Sequence, residues 1–181
     1  MAAAALTTDH RARRPRGSRS AQTQSPLNLL VADAYSAIED LRDEMSEWQE
    51  SLECNEMEHL DKYSEVEEAA SALECALDEL DPLKDLVDQL PDSIRDQVVE
   101  FTQDTRRKAW ARWGRLANAQ AMAEAAHMTL EIDLELDAGA EADADEEPTM
   151  PEGQRDELED ALQSWESATR QTEDVCFPGM Y

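Results

Sequence analysis

Early in the chain the apolar positions fall at Leu27, Val31, Ala34, Ile38, Leu41, Met45, Trp48 and Leu52, at steps of 4, 3, 4, 3, 4, 3 and 4. From Ile38 onward everything between them is charged or polar. Such a 3.5-residue repeat keeps one stripe against one neighbour, whereas a 3.6 period would let the stripe drift around the helix. The pattern predicts a rod-like helix over residues 26–54, opened by Ser25 as N-cap and Pro26 in the first turn. At ~1.5 Å per residue it is roughly 40 Å long.

A second stripe follows, with Tyr63, Val66, Ala70, Leu73, Leu77 and Leu80 at steps of 3, 4, 3, 4 and 3. It predicts a helix over 60–80 that folds back on the first as an antiparallel, coiled-coil-like hairpin. Asp81 and Pro82 end it, and a short segment over 83–90 carries Leu83, Leu86, Val87 and Leu90. From Pro91 a long helix is expected over 92–128. It starts apolar, with Ile94, Val98 and Phe101, and turns basic on the same face at Lys108, Arg112 and Arg115.

Over residues 129–136 the period changes, because Leu130, Ile132, Leu134 and Leu136 alternate with acids. This fits either a helix end running into coil or an extended segment that adds to a sheet edge. An acidic linker is expected over 137–150, then an amphipathic helix over 151–171 and a tail over 172–181. Residues 1–24 are expected to be a disordered basic arm.

Charge changes the picture of packing. The chain of 181 residues has 43 acids against 16 bases, a formal net charge of −27. Residues 27–92 hold 21 acids and 3 bases, a net of −18, while residues 93–129 hold 4 acids and 6 bases, a net of +2. A closed hairpin would set acid against acid along both seams, each like-charge pair being unfavourable by a few tenths of a kcal/mol. More apolar surface and positive charge must come from elsewhere, and the basic half of the long helix offers both. The expected fold class is therefore all-α: the hairpin extended to a three-helix bundle, or the same arrangement made between copies of the chain.

Two groups of residues stand out as candidate sites. The first is a partner or oligomer seam of Val31, Ile38, Leu41, Met45, Trp48, Leu52, Tyr63, Val66, Leu73, Leu77 and Leu80. The second is a basic patch of Arg106, Arg107, Lys108, Trp110, Arg112, Trp113 and Arg115, where rings beside guanidinium groups suit base stacking and phosphate contact. The same patch equally suits pairing with the hairpin's carboxylates.

Catalytic chemistry has little to stand on. The chain lacks a glycine-rich phosphate loop, a nucleophile elbow and a CxxC pair. Carboxylates are so abundant that pairs spaced for acid–base work arise by chance. Cys54, His59 and Cys75 are too far apart along two helices for a zinc site, so no metal, cofactor or small-molecule substrate is expected. Three cysteines imply no disulfide framework and suggest a reducing, intracellular setting. No stretch approaches a membrane span, and the start is too weakly apolar for a secretory core, although its arginine-rich composition also describes an organelle transit peptide.

The leading functional expectation is a non-catalytic interaction or assembly protein. A structural or scaffolding accessory of a phage or other virus is one form of it, by analogy of size and composition. Nucleic-acid association through the arm and the basic patch is a second expectation. A third is an acidic decoy that occupies a DNA-binding protein.

Overall fold

The computed structural model describes residues 20–57, 59–105, 111–142 and 150–178. Among them the elements run β1 (Ser20–Pro26), α1 (Leu27–Cys54), α2 (Asp61–Val87), α3 (Asp92–Arg95), β2 (Val98–Asp104), α4 (Arg112–Ala142) and α5 (Glu152–Glu173). Four long helices close a ring, α1 packing on α2 and α4, and α5 packing on the same two from the other side.

The α1–α2 hairpin forms as its heptads require. Gln49 and Glu53 meet Tyr63 at one end, and Lys84 lies over the Tyr35 ring at the other. Nine of the eleven predicted seam residues are buried, while Trp48 and Tyr63 are partly buried against the same core. The seam is thus filled by the chain itself. Its turn is a Schellman closure: the Met57 N–H donates to the Leu52 carbonyl and the Glu56 N–H to that of Glu53, both at 2.9 Å. Glu56 occupies the left-handed position, at φ 56°, where glycine is usual.

Several expectations are overturned. The helix predicted to stop at Pro82 runs on to Val87. The proline lacks one N–H and costs about 3 kcal/mol in a helix interior, but Leu83, Leu86 and Val87 beyond it are buried at about 1.5–3 kcal/mol each. Packing wins. Nor does a single helix cover 92–128. One turn, α3, is followed by a strand, then by α4. In β2 the side chains alternate, Val99 and Phe101 inward and Val98 and Glu100 outward, which is the period of a strand.

The chain is accordingly not all-α. β1 and β2 pair antiparallel from Ser20 opposite Asp104 to Pro26 opposite Val98. Residues 20–24, expected within a disordered arm, belong to this ladder, and residues 1–19 lie outside the described residues. Ser25 does not cap α1. Instead, the Leu27 N–H donates to the Gln97 carbonyl at 2.9 Å, so the start of α1 is fastened to the connection ahead of β2.

That connection has a geometric cause. Arg112 at the start of α4 meets Glu44 and Trp48, late in α1, so α1 and α4 are antiparallel. α2 and α4 then point the same way, and the chain leaving α2 must travel back along the bundle before α4 can begin. Extended chain does this most economically, at ~3.3 Å per residue, and β1 supplies its hydrogen-bonding partner.

The segment 129–136 is helical, part of α4. The helix continues to Ala142, into what was expected to be linker, and residues 143–149 lie outside the described residues. α5 is not a separate terminal helix but the fourth member of the ring. Trp165 is 1% exposed and its Nε1–H donates to the Ala123 carbonyl at 3.2 Å, while Gln171 reaches Glu79 on α2 at 2.7 Å. Asp137 accepts the Met150 N–H at 3.1 Å, both residues buried, which ties the end of α4 to the approach to α5. The expected three-helix bundle is therefore a four-helix one. In the predicted tail, Val175 and Phe177 are buried too.

Candidate interaction face

Of the basic patch, Arg106, Arg107, Lys108 and Trp110 lie outside the described residues. Arg112 and Arg115 both point at Glu44 on α1, Arg112 at 2.6 Å, and both donate hydrogen bonds to it. Burial works against the charged form of Glu44, but the hydrogen bonds from Arg115 and Arg112 outweigh it and hold the carboxyl below its ordinary range. The Arg112 guanidinium also lies 4.7 Å from the Trp48 ring centroid, and the Lys62 ammonium 4.8 Å from the same ring. These two arginines thus join α4 to the acidic hairpin, the intramolecular use weighed for them from sequence. Trp113 differs: it is 52% exposed and meets the ring of Phe177 edge-on at 5.2 Å.

Trp113 opens a stripe that sequence reasoning missed. Along α4, Trp113, Ala117, Ala121, Ala125, Met128, Ile132 and Leu136 follow one another at steps of 4, 4, 4, 3, 4 and 4. Each step of four advances about 40° around the helix, so Ala117 to Leu136 keep within roughly 100° while Trp113 lies further round. The core-facing side of the same helix is a different set, including Leu116, Ala119, Ala123, Ala126 and Leu130, all buried. Met128, Ile132 and Leu136 are 56%, 54% and 67% exposed, facing away from the core. α4 is apolar on two opposite sides, and only one of them is covered.

Beside this stripe, α4 and α5 leave two adjoining hollows of about 550 and 450 Å3 that share His127, Glu131 and Glu166. Together they make one groove. Six glutamates line it, Glu124, Glu131, Glu135, Glu159, Glu166 and Glu173, against the two arginines Arg155 and Arg170. Arg170 holds Glu166 at 2.5 Å, and His127 lies 3.4 Å from Glu131. Met128 lines the groove from the stripe, and Ala117 and Ala121 continue its wall. Near by on α4, desolvation raises the Asp133 carboxyl above its ordinary range.

Among the described residues, no three histidine, cysteine or acidic side chains come together as a metal site, and no helix is long and apolar enough to cross a membrane. Cys54, Cys75 and Cys176 are exposed thiols. The arrangement suits recognition through apolar contact framed by negative charge. No protein-family model matches the chain, and neither a curated protein nor a solved structure is similar enough to it to count as a match.

Proposed function

We propose that the protein is a non-catalytic helical binding component that engages another protein through the outer face of α4. The observation that carries this reading is the exposed run of Met128, Ile132 and Leu136, on a helix whose opposite side is buried through Leu116, Ala119, Ala123, Ala126 and Leu130. Singly exposed apolar residues are ordinary on protein surfaces, but Met128, Ile132 and Leu136 stand one turn apart, each more than half exposed, as a patch of the kind interfaces use. The heptad seams of α1 and α2 do not supply that interface, because they are filled within the chain. Rigidity supports the reading as well, since α4 is held by α1 through Glu44 and by α5 through Trp165.

The test is photo-cross-linking in the cells that make the protein, with a photoreactive residue at Ile132 and, as control, at the exposed Glu67 on α2. Protein adducts specific to position 132 are expected. If both positions give the same adducts, or neither gives any, the reading fails.

A further inference from the structure

Resting on that reading, we infer that the occupant of the α4 face is a basic amphipathic helix of another protein, lying along the stripe with its cations over the glutamates of the α4–α5 groove. Length, shape and charge each narrow the choice. From Ala117 to Leu136 the stripe stays within roughly 100° of the helix and runs about 29 Å at ~1.5 Å per residue, the length of a helix rather than of a loop contact. It begins with Ala117 and Ala121, which also line the groove. Small residues there let a second helix approach to the near end of the ordinary 8–10 Å interaxial range. Met128, Ile132 and Leu136 beyond them are the anchors.

Charge decides the sign of the occupant. Glu124, Glu135, Glu159 and Glu173 line the groove and make no ion pair among the described residues. A helix with an apolar face flanked by lysine or arginine satisfies the stripe and these carboxylates together, which is the helix-in-groove mode of recognition. A second copy of this chain is the poorer fit. Each copy carries −27 overall, and stripe-to-stripe pairing would set glutamate rows against each other. Nucleic acid and anionic lipid surfaces present negative charge to the same row.

The experiment uses the full chain and three synthetic peptides of roughly 18 residues each, long enough for five helical turns. One is a leucine–lysine amphipathic helix, one has the same composition scrambled to destroy the apolar face, and one is a leucine–glutamate amphipathic helix. Binding is read by calorimetry, and its location by amide shifts. The leucine–lysine helix should bind alone of the three, with shifts confined to α4 and α5. Met128→Asp with Ile132→Asp should weaken it by about tenfold or more, as loss of buried anchors does. Glu124→Lys with Glu135→Lys should weaken it comparably at low salt. All four positions are on the surface, so the variants should keep the wild-type circular dichroism and Tm; Leu136→Ser provides a milder check of the stripe.

Equal binding of the scrambled peptide would reduce the effect to general attraction by a polyanion and overturn the inference. So would unchanged affinity in the aspartate variants, or tight binding of the leucine–glutamate helix. A position-132 adduct in cells with a partner that lacks such a helix would also overturn it while leaving the binding reading intact, whereas absence of any adduct removes the reading itself.

Discussion

Arg112 lies over the ring of Trp48, 4.7 Å from its centroid, while donating to Glu44 one turn earlier on the same helix. One guanidinium therefore joins α4 to α1 by an ion pair and a ring contact at once. The site is partly exposed, with Glu44 at 34% and Arg112 at 12%.

The Glu44 carboxyl is held below its ordinary range, so its charged form is favoured in the folded state. A depressed carboxylate contributes stability that is present above its unfolded value, near 4.5, and lost as pH falls through the folded one. Glu44→Gln should cost about 1 kcal/mol at neutral pH, a figure discounted for solvent screening. Urea unfolding of both proteins down through the acid range should show the gap closing below about pH 4.5. A gap that stays constant would mean that the charge of Glu44 is immaterial.

Trp165 fixes α5 in the ring. Its 1% exposure and its bond to the Ala123 carbonyl make Trp165→Ala a large-to-small core change, expected to cost about 3–5 kcal/mol. If α5 were a separate helix on a tether, the same substitution would leave the main unfolding transition in place. Calorimetry distinguishes the two by whether the single transition shifts as a whole.

The strand assignment of 98–104 is checked by neighbours. Val99 is 6% exposed and Val98 60%, so Val99→Ala should destabilise by about 1 kcal/mol or more and Val98→Ala by less than about 0.5. Substitutions at Ile94 and Val98, one turn apart on a helix, would behave alike if the segment were helical. Denaturant midpoints for the two valine variants settle the matter.

Glu56 sits in the left-handed position of the α1–α2 turn at φ 56°. Glycine has no Cβ to oppose that conformation, so Glu56→Gly should stabilise the protein by about 0.5–1 kcal/mol. A lowered Tm in the variant would show that the Glu56 side chain contributes more than its backbone strain costs.

The hairpin was legible because a 3.5-residue repeat has only one structural meaning over several turns, and Val31 to Leu80 lie where that meaning puts them. β2 was not. Ile94, Val98 and Phe101 also fit helical spacing, and the inward alternation of Val99 and Phe101 is too short to outvote it. β1, SAQTQSP, has no apolar pattern at all, since what makes it a strand is the ladder it shares with distant β2. The candidate face was hidden by a coincidence of periods. Leu130 and Leu134 turn inward one helical turn apart, Ile132 and Leu136 turn outward likewise, and two opposed helical stripes read in sequence as a strand.

The order of the elements also governs how the chain comes to be assembled. α1 and α2 can zip together once both exist, because their contacts are local, but β1 waits unpaired until Val98–Asp104 has been made, and α5 is the last element to join the ring. During that interval the nascent chain displays leucine-rich surfaces that would invite clumping with its neighbours. The dense carboxylates of α1 and α2 keep such half-finished molecules apart by mutual repulsion. The excess acid that opposes compactness in the finished protein opposes contact between unfinished ones by the same repulsion.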